Sequence, residues 1–163
     1  MTAVCYSYLD SPIGRLLLAG NESGLQEIVF QGKNGPAPPK PAWMEDTGGL
    51  KEPARQLRAY FGGELEDFTL PLAPQGTPFQ QKVWNELLNI PYGETISYGD
   101  LARRIGNPNA SRAVGLANGS NPIPIIIPCH RVIGSNGKLT GYGGGLHIKE
   151  KLIALERRQL RLL

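Results

Sequence analysis

The sequence predicts an α/β chain of the α+β kind, organised as two domains at residues 1–76 and 77–163. Three observations carry this reading. Three short aliphatic runs near the N-terminus are punctuated by tight-turn signals, as in an antiparallel meander, and one amphipathic helix follows them. Past residue 77 the pattern changes to short helices joined by a forced turn. Between the two, Ala73-Pro74-Gln75-Gly76 reads as the passage into a second domain.

Val4 to Tyr8 and Arg15 to Ala19 read as strands joined by a Ser11-Pro12-Ile13-Gly14 turn, and a second turn at Asn21-Glu22-Ser23-Gly24 leads into Leu25 to Phe30. The segment from Gly32 to Pro41, rich in glycine and proline, is an exposed loop. Leu50, Ala54, Leu57 and Phe61 then recur at spacings of four, three and four, which puts them on one helix face, and Gly62-Gly63 ends that helix. Phe68 to Leu72 is a last strand or an extended connector. Cys5 sits in a strand without a basic neighbour, so it reads as a core thiol.

Pro78 opens the next helix at a position that tolerates proline, with Phe79, Val83, Trp84, Leu87 and Leu88 as its apolar face. Ser97-Tyr98-Gly99-Asp100 is a helix-start box, followed by Leu101, Ala102 and Ile105. Gly106-Asn107-Pro108-Asn109 forces a turn, and Ala110 to Gly119 forms a second short helix, giving helix–turn–helix spacing. That second helix offers one long polar side chain, Arg112, among alanine and glycine. A helix so smooth suits close approach to a sugar–phosphate surface better than the reading of base edges, although many such helix pairs only pack on each other.

Charge points the same way. Residues 1–76 carry six Lys/Arg against nine Asp/Glu, a net of −3, and residues 77–163 carry eleven against five, a net of +6. The basic half is the part suited to a polyanion. The N-terminus lacks a basic region followed by an apolar one, and no apolar run is long enough to cross a bilayer, so the expectation is a soluble cytoplasmic protein. Two cysteines and two histidines, without CxxC or HxxxH spacing, argue against a disulfide framework and against zinc, and no metal or cofactor is expected.

The chemistry concentrates in Ile125-Ile126-Ile127-Pro128-Cys129-His130-Arg131-Val132. The β-branched run predicts a short buried strand, broken by proline before a thiol, an imidazole and a guanidinium. Most unpaired cysteines are inert core residues, but cations at His130 and Arg131 would favour a thiolate on Cys129 and make it a nucleophile. In an extended segment neighbours point to opposite faces, so a turn after Pro128 or a bridging water must bring His130 to the sulfur. Beyond this stretch, Asn136-Gly137 between Val132-Ile133 and Leu139 is a hairpin signal, and the later glycines make a loop around Tyr142. On the C-terminal helix Ile148, Leu152, Leu155 and Gln159 form the apolar face, with Lys149, Lys151, Arg157 and Arg158 mostly away from it. Glu156 falls inside the stripe, where a carboxylate is costly unless paired. Its candidate partner is His130, which it would orient and charge; the alternative is an edge glutamate reaching solvent.

Taken together, Pro128-Cys129-His130-Arg131-Val132, Asn121-Pro122-Ile123-Pro124, the Ser97 to Ala102 helix start and Leu152-Ile153-Ala154-Leu155-Glu156 resemble the O6-alkylguanine-DNA alkyltransferase family. The match runs without a gap from about Thr77 to Glu156 and more loosely through Ser11 to Gly14 and Tyr60 to Gly63. The resemblance implies a ribonuclease-H-like N-terminal domain and a winged-helix-type C-terminal domain that binds double-stranded DNA through the minor groove. It implies that the damaged guanine is flipped from the stack and that its alkyl group moves once, irreversibly, from O6 to Cys129. O4-alkylthymine is left open as a further substrate.

Carried over residue by residue, the resemblance makes Cys129 the alkyl acceptor, His130 its base through a water, and Glu156 the support of His130. Tyr98 would give a proton toward the leaving guanine, and Asn121 would brace the turn between the second helix and the active-site strand. Arg112 would fill the gap left by the flipped nucleotide, with Ser111, Ala113, Tyr98 and Arg131 as further DNA contacts. Tyr142, Gly143, Gly144 and Pro124 would line the alkyl pocket. The chain is expected to be a monomer in the absence of DNA. Some relatives hold a structural zinc with Cys and His ligands, but residues 6–128 contain neither. The competing functions are a lesion sensor that lacks the cysteine, against which Cys129 argues, a Cys/His hydrolase with multiple turnover, and a plain winged-helix binding module.

Overall fold

The structure is a computed structural model that describes residues 3–45, 48–142 and 144–162, with side chains through Arg158 in the last helix. The chain divides after Gln75 into two compact units.

In the first unit, strands β1 (Cys5–Ser11), β2 (Gly14–Asn21) and β3 (Gly24–Val29) form the expected antiparallel meander, and the short β4 (Met44–Glu45) pairs parallel to β1, giving the order β3-β2-β1-β4. Leu16, Leu17, Leu18 and Ala19 are all buried, so both faces of the sheet are covered along β2. Helix α1 (Lys51–Phe61) buries Leu57 and Tyr60, and its Gln56 amide is also buried. Gln56 is satisfied by the connector: its Oε1 accepts from the Thr69 amide at 2.9 Å and its Nε2 donates to the Thr69 carbonyl at 3.3 Å. Leu72 makes a single bridge to Leu25, so Phe68 to Leu72 is a connector and not a strand. Gly24 lets it pass, because a Cβ there would lie 2.5 Å from the Pro71 carbonyl oxygen.

The second unit contains α2 (Pro78–Leu87), β5 (Ile96–Ser97), α3 (Tyr98–Arg104), α4 (Ser111–Gly119), β6 (Val132–Ile133) and α5 (Leu146–Leu162). Reciprocal capping boxes start α2 at Thr77/Gln80 and α3 at Ser97/Asp100, each satisfying two amides that the helix cannot. Gly106, at φ +82°, turns the chain between α3 and α4. The indole of Trp84 donates to the Ala117 carbonyl at 2.8 Å in the core, tying α2 to the end of α4.

Two sequence expectations change here. Ile125 to Ile127 are buried as expected but form a turn instead of a strand, with Ile125 at φ +76°. Asn121 is the cause: its Oδ1 accepts from the Ile123 amide at 2.9 Å and its Nδ2 donates to the Ile127 carbonyl at 2.7 Å. Those two bonds hold a β-branched residue in a backbone region that costs it ~1–3 kcal/mol. The Asn136-Gly137 hairpin is likewise only a tight turn, closed by Gly134 N–H to the Lys138 carbonyl at 2.9 Å. No return strand follows among the described residues, because β6 pairs in parallel with β5.

Candidate functional site

Proline at 128 ends the isoleucine turn, and Cys129, His130 and Arg131 form one turn of 3-10 helix leading into β6. The three side chains therefore fan out around an axis instead of alternating, and all three are buried. The turn expected after Pro128 is present.

Helix α5 supplies the groups that meet them. His130 Nε2 lies 2.7 Å from Glu156 Oε2. Arg131 donates to the same carboxylate through Nε at 2.9 Å and Nη2 at 3.1 Å, while its Nη1 donates to the Ile90 carbonyl at 2.6 Å. Its guanidinium also lies 5.7 Å from the Tyr92 ring centroid. Arg131, expected as a DNA contact, is thus corrected to a core residue: it is buried and its charge is spent on Glu156. The pairing of Glu156 with His130 agrees with the position of that glutamate in the helix stripe.

Burial pushes the Glu156 carboxyl up, but the hydrogen bond to His130 and the hydrogen bonds and charge of Arg131 outweigh it and hold it down at about 2. Burial dominates at His130 and lowers its pKa in spite of Glu156, with Arg131 and Lys149 adding to the effect. The resting imidazole is therefore neutral. With an ionised carboxylate on Nε2, the proton sits there and Nδ1 is a bare acceptor, buried and without a hydrogen-bond partner among the described residues. The expectation that Glu156 charges the ring is corrected: it sets the tautomer.

The expected thiolate is also corrected. Burial pushes the Cys129 thiol up to about 11, against hydrogen bonds from Asn121 and Tyr142 and the charge of Lys149, all of which lower it. Neither neighbouring cation helps, because Arg131 is neutralised and His130 is uncharged. The resting sulfur is therefore a thiol.

Lys149, expected away from the apolar face of its helix, is instead fully buried, its Nζ donating to the Thr140 carbonyl at 2.8 Å. Lys149, Leu152, Ile153 and Glu156 are the buried positions, so the stripe is rotated from the one the hydrophobic residues suggest. The signal was Glu156 itself, since a residue seven places before it shares its face. The side chain of Gln159 lies outside the described residues.

An open cleft of about 570 Å³ is lined by Tyr98, Ser111, Arg112, Gly115, Thr140 and Tyr142, among others. It unites residues expected to contact DNA with residues expected to serve the chemistry. Cys129 is only 4% exposed and is not among the described residues lining the cleft, whereas Tyr142, which lowers its pKa, is. The Tyr98 hydroxyl accepts from Thr140 Oγ1 at 3.1 Å. Ala113 is exposed on α4 without lining the cleft, as is Leu116, 73% exposed one turn beyond Arg112. Pro124 is buried within the isoleucine turn, and neither it nor Gly144 is among the described residues lining the cleft; Gly143 lies outside the described residues.

Among the described residues no three His, Cys, Asp or Glu side chains gather as a metal site, both cysteines are free thiols, and no helix is long and apolar enough to cross a membrane.

The family model for the 6-O-methylguanine DNA methyltransferase DNA binding domain matches residues 78–158, and that for the ribonuclease-like domain of the same proteins matches residues 4–74. A methylated-DNA–protein-cysteine methyltransferase of Methanosarcina acetivorans is 59% identical over 152 residues, covering 93% of this chain and 97% of that protein. The protein of the same name from Mycobacterium tuberculosis is 54% identical over 152 residues, covering 93% and 92%. Among solved structures, Mycobacterium tuberculosis OGT in complex with DNA has a TM-score of 0.89 at 52% identity, covering 95% of this chain and 94% of that one.

Proposed function

The chain belongs to the 6-O-methylguanine DNA methyltransferase family, and from that premise we propose that it repairs DNA by taking the alkyl group of O6-alkylguanine onto Cys129. It is a single-use transferase. The observation that carries the residue assignment is the buried chain from Glu156 through His130 to the turn that holds Cys129, with Nδ1 of the imidazole left as acceptor.

Helix α4 approaches the minor groove through its small side chains, and Arg112 takes the place of the nucleotide that swings out into the cleft. His130 Nδ1, through a water, takes the thiol proton of Cys129, and Glu156 steadies the imidazolium that forms. The sulfur attacks the alkyl carbon, the carbon–O6 bond breaks, and its electron pair goes to the guanine, toward which Tyr98 gives a proton. Solvent then takes the proton from the imidazolium and returns one to Tyr98, so that overall the thiol hydrogen replaces the alkyl group on the base. A thioether has no leaving path here, so each molecule repairs one lesion.

Burial of the sulfur fits this order of events. A thiol raised to about 11 by burial resists stray oxidation and alkylation until a substrate and the base act on it together. Every group named lies between Tyr98 and Glu156 of one chain, so the reading needs no second copy and fits a monomer on double-stranded DNA in the cytoplasm.

Incubation with a duplex carrying one O6-methylguanine should raise the intact protein mass by one methyl group per molecule, and Cys129→Ser should abolish the increase. Repeated turnover of lesions, or a methyl group found on Cys5, would falsify the assignment.

A further inference from the structure

Thr140 has no role in the mechanism above, yet it joins two of the groups that matter. Its hydroxyl donates to the Tyr98 hydroxyl at 3.1 Å, and its carbonyl accepts from Lys149 Nζ at 2.8 Å. Lys149 is fully buried, and its ammonium lies 5.8 Å from the Tyr98 ring centroid. A buried ammonium is costly to leave unpaired, so the Thr140 carbonyl is pinned and its hydroxyl is delivered to a fixed place. Tyr98 is fixed from the other side as the first residue of α3, directly after the Ser97 cap.

A phenol has one hydrogen to give and lone pairs that accept. Both hydroxyls rotate, and in the sense in which Thr140 donates to the phenolic oxygen the hydrogen of Tyr98 is not spent on Thr140, while the accepted bond polarises that O–H and strengthens it as a donor. Both residues line the cleft, so that hydrogen is available to whatever enters. We propose that Thr140 is a positioning residue of the transfer reaction: it occupies the acceptor side of the Tyr98 hydroxyl so that the phenolic proton goes to the departing guanine, with Lys149 holding Thr140 in place. The proposal rests on Tyr98 being the proton donor.

Thr140→Val keeps the shape and the carbonyl that serves Lys149 and removes only the hydroxyl. In single-turnover transfer from a duplex containing O6-methylguanine, Thr140→Val should lower the limiting rate by about tenfold with DNA affinity unchanged. Thr140→Ser should restore the rate. In a Tyr98→Phe background, Thr140→Val should cost nothing more, because the hydroxyl it serves is gone. An equal cost in both backgrounds, or none with Tyr98 present, overturns the proposal. Full-rate transfer by Tyr98→Phe alone removes the premise and the proposal with it. A wild-type protein whose mass never changes would instead sink the repair reading itself.

Discussion

Arg131 closes on the carboxylate of Glu156 with two nitrogens, at 2.9 and 3.1 Å, and neither residue reaches the surface. A guanidinium matches a carboxylate in this way better than an ammonium does. Removing one partner strands the other charge in the core. Arg131→Met should therefore lower unfolding stability by ~3–5 kcal/mol in urea titrations. The salt dependence of DNA binding by the folded variant should keep its slope. A stable variant with a shallower slope would return Arg131 to the DNA surface.

The same pair sets an acid limit. Glu156 is held at about 2 in the folded chain against an ordinary value of 4.5, so the unfolded chain binds its proton first as pH falls. The stabilisation is complete above pH 4.5 and is lost as pH drops toward 2, on the order of 3 kcal/mol in all. Stability curves for wild type and Glu156→Gln should converge across that window. Parallel curves would remove Glu156 from the acid transition.

Because burial lowers the His130 pKa, its base form should persist below the usual imidazole range. The transfer rate should hold from neutral pH to below 6.5 and fall only as Nδ1 gains a proton. Glu156→Gln removes the anion that fixes the tautomer and should slow transfer by ~10²-fold. A rate that already falls above pH 7 would mean that an imidazolium, and not a neutral base, serves the reaction.

At Cys129 the linkage runs in the opposite direction. The folded thiol titrates at about 11 against an ordinary 9.0, so the unfolded chain loses its proton first as pH rises. Stability from this group is present below pH 9 and is lost toward 11, and Cys129→Ser should lack that part of the slope. Thiolate absorbance, read as wild type minus Cys129→Ser, should have its midpoint near 11. Lys149→Met, which removes the nearby cation, should move it higher. A midpoint below 8 would mean a preformed thiolate.

Arg112 is exposed on α4 and lines the cleft, with no part in the core. Arg112→Ala should leave stability within about 0.5 kcal/mol. It should slow transfer from a duplex by ~10-fold or more while sparing transfer from free O6-benzylguanine, which needs no flipping. Equal losses on both substrates would place Arg112 in the chemistry instead.

Much of this molecule is written in short-range signals. The Ser97 and Thr77 boxes start their helices because a hydroxyl and a side chain three residues on satisfy amides within the same turn. The meander follows from turn residues and strand alternation, and Glu156 betrays itself by standing in an apolar stripe. Cys129 and His130 are recognisable from their neighbours alone.

Charge state and direction are a different matter, because they depend on partners far along the chain. Arg131 finds Glu156 25 residues away and so is lost to DNA, and Lys149 turns inward because the Thr140 carbonyl is there to receive it. Asn121 bends three isoleucines that alternation would leave as a strand. Local composition names the thiol, the imidazole and the carboxylate. Burial decides that the first rests protonated and the second rests neutral, since desolvation acts only once the whole fold has closed around them.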